Sequence, residues 1–270
     1  MVARRRLDAE LVRRKIARSR EHAVNLIRGN KVHVNGILAT KPATVVDDAV
    51  SIRVDSSEDD NYASRGAHKL IGALDAFNID VTGLTILDAG ASTGGFTDVL
   101  LRRGAQQVLA VDVGYGQLIW RLQNDPRVTV MDRTNIRHLT PEMCGGELDA
   151  MVGDLSFISL TLVLPAIAEC LKPGALLLPM VKPQFEVGKD RLGSGGVVTS
   201  PQLRHEVTLD VARYAATLGL STRGVTASPL PGPSGNVEYF LWLVKDNLAT
   251  HPDDTQLDDM VATAIKEGPQ

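Results

Sequence analysis

Apolar positions along this chain keep one period for a stretch and then change to another. Leu7, Leu11 and Ile16, and after Ser19 the residues Ala23, Leu26 and Ile27, recur at helical spacing. They predict two short amphipathic helices, the second capped by Ser19 and closed by Gly29. Residues 31–38 alternate about Asn35-Gly36, the mark of a hairpin, and 44–54 predict a further strand pair. Leu70, Leu74 and Phe77 then stripe another helix. Beyond it, strand-like runs at 84–88, 108–112, 128–132, 148–154, 175–182, 222–228 and 237–244 alternate with helical patterns from Phe96 and over 118–122, 160–171 and 201–218. Seven such runs, most of them continuously apolar, predict a mainly parallel sheet covered on both faces. Leu257, Met260, Val261, Ala264 and Ile265 add an amphipathic helix expected to pack on that core.

The 270 residues suffice for one large core and a small accessory domain. Polar, acidic, aperiodic residues near Ser56–Asn61 divide the chain into an expected unit at 1–55, a linker at 56–63 and a second unit at 64–270. The net charge of −3 hides an asymmetry: residues 1–55 carry +6 and the rest −9, so a polyanion would meet the basic head first. Cys144 and Cys170 lack metal-ligand spacing and are expected to be reduced thiols. No apolar run approaches the roughly 18 residues of a membrane span. A cytoplasmic protein with neither secretion nor membrane insertion is expected.

The stretch Leu84-Thr-Ile-Leu-Asp88-Ala-Gly90-Ala-Ser-Thr-Gly94-Gly95-Phe-Thr97 reads as strand, tight turn and helix. Glycines let the backbone approach a ligand, and the helix N-terminus points at it. The G-x-x-x-G-G spacing suits an adenosyl ligand better than a dinucleotide pyrophosphate. Asp88, Asp112, Asp132 and Asp154 each close a predicted strand, the end at which doubly wound sheets bind ligands. One strand-end acid is often a helix cap, whereas four in register point to a site. Asp112 lies 22 residues beyond Gly90, where an acid can take both hydroxyls of a ribose. Gly114-Tyr-Gly-Gln117 would wall the adenosine. Lys182 ends one apolar run and Glu238 interrupts another, and such groups are rarely buried unless paired or functional. With Lys69 and Asp154 they could move a methyl from a sulfonium to an alcohol, a lysine taking the hydroxyl proton without need of a metal. The glycine-rich segment 184–196 reads as a lid over the target.

Two resemblances add to this reading. Arg6-Leu-Asp8, Leu11, Ser19-Arg20, Ala23, Leu26-Ile27, Gly29, Val32, Val34-Asn-Gly36 and Lys41-Pro42 resemble the RNA-binding fold named after ribosomal protein S-four. Ser64-Arg-Gly66, Lys69, the 88–97 glycine turn, Asp112-Val-Gly-Tyr-Gly-Gln-Leu118, Asp154-Leu-Ser-Phe-Ile-Ser159, Lys182-Pro-Gln-Phe-Glu186, Gly195-Gly-Val-Val198 and Ser228-Pro through Glu238 are similar to the FtsJ-like ribose 2′-O-methyltransferases. Together they resemble the TlyA family of ribosomal RNA methyltransferases, also labelled hemolysins. That resemblance implies an α/β fold, a seven-stranded class I (Rossmann-like) methyltransferase domain behind a small N-terminal α+β RNA-binding domain. It implies 2′-O-methylation of cytidine in small- and large-subunit ribosomal RNA, within subunits or the whole ribosome, and sensitivity to peptide antibiotics. S-adenosylmethionine is the implied cofactor, with no metal and no membrane partner. The implied catalytic set is Lys69, Asp154, Lys182 and Glu238, with Lys182 as base. Cofactor contacts are expected at Asp88, Gly90, Ala91, Ser92, Thr93, Gly94, Gly95, Phe96, Asp112, Val113, Asp132 and Asp154. RNA contacts are expected at Arg4, Arg6, Arg14, Arg18, Arg20, Lys41 and Arg65. The competing readings are a nicotinamide oxidoreductase using the same crevice, a membrane-lytic protein, and an RNA-binding assembly factor whose methylation is incidental.

Overall fold

A computed structural model describes residues 4–269 except 15, 18, 55–60, 194, 233 and 247–250. The chain forms two compact units, 1–61 and 62–270. In the first, β1 (Arg5–Arg6) leads into α1 (Leu7–Arg13) and α2 (Arg20–Arg28), followed by β2 (Val32–Val34), β3 (Ile37–Leu38), β4 (Val45–Val46) and β5 (Ile52–Val54). The Ser19 hydroxyl accepts the His22 N–H at 3.1 Å and starts α2. Asn35 and Gly36 take φ of 50° and 82°, the left-handed pair that a two-residue hairpin turn requires. Leu7, Leu11, Ala23, Ile27 and Val32 are wholly buried together. The expected strand pair at 44–54 does not pair with itself: β4 joins β1, and β5 joins β2. Strands of two or three residues carry no periodicity of their own, so distant partners decide their pairing.

The second unit contains α3 (Ala67–Phe77), β6 (Thr85–Ala89), α4 (Gly95–Arg102), β7 (Gln107–Val111), α5 (Trp120–Gln123), β8 (Val128–Met131), β9 (Leu148–Gly153), α6 (Leu164–Glu169), β10 (Leu171–Val181), α7 (Pro183–Glu186), α8 (Pro201–Thr217), β11 (Leu220–Ala227), β12 (Tyr239–Lys245) and α9 (Asp254–Glu267). Seven strands form one sheet in the order β11-β12-β10-β9-β6-β7-β8. Strands β10, β9, β6, β7 and β8 run parallel, and β12 is antiparallel to both of its neighbours. Successive residues point to opposite faces. Ile86, Val108, Val152 and Phe240 pack with Leu70, Leu74, Val99 and Leu100 of α3 and α4. Leu87, Leu109, Met151 and Tyr239 pack with Ile167, Ala212, Val261 and Ile265 of α6, α8 and α9.

The helix expected over 160–171 is shorter. Residues Leu160–Leu162 form one 3-10 turn, α6 spans Leu164–Glu169, and Leu171 already belongs to β10. Pro165 has no N–H to donate to the preceding turn, so the helix restarts beside it instead of running through.

Candidate active site

Asp154 follows the last residue of β9 and Lys182 the last residue of β10. Because β12 runs antiparallel, with Tyr239 opposite Val181, Glu238 just before it arrives at that same end of the sheet. Lys69 enters from the first turn of α3. The structure therefore brings four groups into contact that lie up to 169 residues apart. Lys69 Nζ donates to Glu238 Oε2 at 2.6 Å and lies 3.8 Å from Asp154 Oδ2. Lys182 Nζ lies 2.5 Å from Asp154 Oδ1, an ion pair without hydrogen-bond alignment, and donates to Ser156 Oγ at 2.8 Å. Lys69 and Lys182 are each 6% exposed and Glu238 1%, so these three side chains meet Asp154 largely out of reach of bulk water. Glu238 Oε1 has no hydrogen-bond partner among the described residues. A Cβ on Gly232 would stand 2.5 Å from that oxygen, so only glycine leaves room for it.

The four groups stand between cavities. Lys69 and Asp154 line one of about 320 Å³ with Ser64, Gly66, Gly90, Ser92 and Thr93. A second, of about 540 Å³, lies across Gly90 and Ser92, lined by Asp112, Val113, Asn135 and Ile136. Lys182 and Glu238 face a third of about 1030 Å³, with Phe157, Phe185, Leu192, Ser234 and Asn236. The loop dividing the first two is anchored on β7. Gly90 and Ala91 donate to the Val111 carbonyl, and Asp112 accepts from Ser92 N and Gly114 N at 2.8 and 2.7 Å. Gly90 has φ of +84°, and a Cβ there would stand 3.1 Å from the Asp154 carbonyl oxygen.

Ala91, Ser92, Thr93, Gly95, Phe96, Asp112, Val113 and Asp154 all line one of the two smaller cavities. Three expected cofactor contacts do not. Asp88 is fully buried beneath the loop, where Thr97 Oγ1 donates to Oδ2 at 2.6 Å, and burial pushes its carboxyl up to about 7. Gly94 packs on Leu118 and Leu122. Asp132 accepts from Gly116 N at 2.8 Å and so holds the 112–117 loop in place. These residues support the pocket from behind.

Other residues of the site had no role assigned from sequence. Phe157 is 90% exposed with φ of 63°, lines both the 1030 Å³ cavity and the Asp112 cavity, and its ring centroid lies 5.0 Å from that of Phe185. A bulky residue in the left-handed region at a cavity rim is a strained placement. Its signal was only an aromatic among turn formers in Ser156-Phe157-Ile158-Ser159. Glu186 accepts from Ser159 Oγ at 2.5 Å and Leu160 N at 2.8 Å, and burial raises its carboxyl. Asn236, 3% exposed, clamps the expected lid by accepting from Val198 N and donating to the Gly196 carbonyl, both at 2.9 Å.

In the first unit Arg4, Arg6, Arg20 and Lys41 are exposed; Arg18 lies outside the described residues. Arg14 differs, donating to Glu10 and to the carbonyls of Asp47, Asp48 and Val50 at 2.6–3.2 Å. Most of its N–H groups are thereby committed inside the unit. Arg65 is exposed and lines the Lys69 cavity. Among the described residues no helix is long and apolar enough to cross a membrane, and no cluster of three or more His, Cys, Asp or Glu side chains forms a metal site.

Residues 62–245 match the model for FtsJ-like methyltransferases and residues 5–49 that for the S4 domain. A Mycobacterium tuberculosis protein named 16S/23S rRNA (cytidine-2′-O)-methyltransferase TlyA is 58% identical over all of both chains. Hemolysin A of Brachyspira hyodysenteriae is 36% identical over 87% of this chain and 98% of its own. A solved structure from Streptococcus thermophilus, provisionally labelled a hemolysin, superposes with a TM-score of 0.75 at 37% identity, covering 99% and 98% of the two chains.

Proposed function

The chain belongs to the FtsJ-like methyltransferase family, and from that premise we propose that it methylates the 2′-hydroxyl of cytidine in ribosomal RNA, using S-adenosylmethionine. The observation that carries this reading is the meeting of Lys69, Asp154, Lys182 and Glu238 between two small cavities and one large one. An adenosyl sulfonium suits the paired small cavities. Asp112 offers a carboxylate for ribose hydroxyls, Val113 and Ile136 apolar surface for a base, and Ser64, Ser92 and Thr93 polar groups for an amino-acid end. When bound, that cofactor supplies a methyl group on positively charged sulfur, an electrophile that needs no metal. The large cavity has the volume for one nucleotide.

The chain's own residues do the rest. Lys182, in its unprotonated form, takes the 2′-hydroxyl proton at Nζ and Asp154 holds the ammonium so formed, so that the ribose oxygen could accept the cofactor's methyl with its carbon–sulfur bond breaking and the sulfur leaving as a neutral thioether. Glu238 fixes Lys69, and Lys69 holds Asp154 from the far side. The free Glu238 Oε1 accepts from the sugar and orients it. Phe157 offers its exposed ring to the target base. The first 55 residues hold RNA, and the chain from residue 64 carries the transfer.

The test is transfer of labelled methyl from S-adenosylmethionine to purified ribosomal subunits, followed by nucleoside analysis. 2′-O-methylcytidine is expected. Label on a base, or none on RNA, would sink the proposal. Lysis of cells by a methylation-dead Lys182→Ala protein would instead favour the hemolysin label.

A further inference from the structure

Among the acids of the basic unit, two stand buried at the start of α1, where RNA binding alone would call for none. Asp8 and Glu10 open α1 and are 2% and 1% exposed, yet they are covered by guanidinium groups and not sunk in the apolar core. Arg6 donates Nε to Asp8 Oδ1 at 3.1 Å and Nη2 to Oδ2 at 2.8 Å, and Arg20 Nη2 reaches that Oδ2 at 3.3 Å. Arg13 grips Glu10 the same way, Nε to Oε2 at 2.8 Å and Nη2 to Oε1 at 2.6 Å, while Arg14 Nε shares Oε1 at 2.6 Å. Asp48 Oδ1 ties Arg5 at 2.8 Å to Arg13 at 3.1 Å. These bonds hold both carboxyls below their ordinary range, Glu10 at about 2, so the acids stay charged at every working pH.

A guanidinium bound through Nε and one side of Nη2 still presents the N–H pair at its tip, and that edge matches two phosphate oxygens. The side chains of Arg6, Arg13 and Arg20 remain 51%, 48% and 63% exposed in this arrangement. A free arginine on the surface samples many rotamers and must lose them on binding, and neighbouring cations repel one another. A shared carboxylate removes both costs in advance. We infer that Asp8 is a positioning residue for RNA docking: it holds Arg6 and Arg20 in a fixed comb whose outward edges take backbone phosphates, while Glu10 and Asp48 tie Arg13 and Arg14 into the unit beside it.

The inference rests on the ribosomal RNA reading above and predicts an effect opposite to simple charge. Asp8→Asn makes the full-length protein more positive, yet its affinity for purified ribosomal subunits should fall at least about fivefold, with the logarithmic salt slope shallower by roughly one. KM for subunits should rise while kcat holds, because the second unit is untouched. Equal or tighter binding overturns the inference. Should Asp8→Asn lower the thermal stability of the first unit, the double variant Arg6→Lys/Arg20→Lys decides, since it keeps charge and core but loses the forked contact. Loss of affinity there supports the comb, and parental affinity overturns it. If the unaltered protein itself fails to bind subunits, the RNA reading falls first and takes this inference with it; binding by the parent and the variants alike removes the comb alone.

Discussion

Lys182 touches Asp154 and Ser156 and faces the large cavity, so its replacement should separate chemistry from binding. Lys182→Ala should lower methyl transfer at least about a hundredfold while cofactor affinity by calorimetry stays nearly unchanged. Loss of both together would make this a structural lysine. Lys182→Arg should fail as well, because a guanidinium does not give up its proton. Phe157→Ala should raise KM for RNA and spare the folded state, since a ring 90% exposed, with Phe185 as its ring neighbour, buries little apolar surface. A drop in melting temperature without a change in KM would refute that role. Asp88 gives a pH signature. Its carboxyl ordinarily titrates near 3.8, and burial moves it to about 7 in the folded protein. Its contribution to stability is complete below the lower value and is lost as pH rises through the upper one, because the unfolded chain releases the proton first. Asp88→Asn should therefore flatten the decline in melting temperature between about pH 4 and pH 7. A decline as steep as the parent's would assign it to other groups.

At the scale of elements, the loop after β6 does what its glycines suggested, but for unequal reasons. Gly90→Ala would strain a backbone at φ +84° and drive a methyl against the Asp154 carbonyl, so cofactor affinity should fall about tenfold or more. Gly83→Ala, at φ +76° with no atom within 4 Å, should cost stability alone and serves as the control. Equal cofactor affinity in both variants would remove the loop from the binding site. The parallel sheet was legible because strands covered on both faces must be apolar throughout. Lys182 and Glu238 stood out against those runs for the same reason, and Asp112, Asp132 and Asp154 marked the strand ends, whereas Asp88 lies inside β6. What could not be read is what distant chain decides. Pairing of β4 and β5, the commitment of Arg14 to carbonyls some 33 to 36 residues away, and the burial of Asp88 behind the loop leave no local pattern. Nor does a left-handed Phe157, since its backbone angle follows from the loop around it and not from its residue type.

For the whole molecule, the charge of +6 on residues 1–55 against −9 on the rest assigns nucleic-acid attraction to one end of the chain. A protein lacking residues 1–61 should bind S-adenosylmethionine as the parent does but lose affinity for ribosomal subunits and most of its salt dependence. Retention of the salt slope would place the phosphate contacts in the second unit. The antiparallel position of β12 carries one more consequence. Glu238 is made late in synthesis, just ahead of a strand that must seat between β10 and β11 already made, so a prematurely terminated polypeptide has both amines but only Asp154, 3.8 Å away, to pair with Lys69. Truncated translation products are thereby born inert: no fragment that stops before the last strand carries a working alkylation centre.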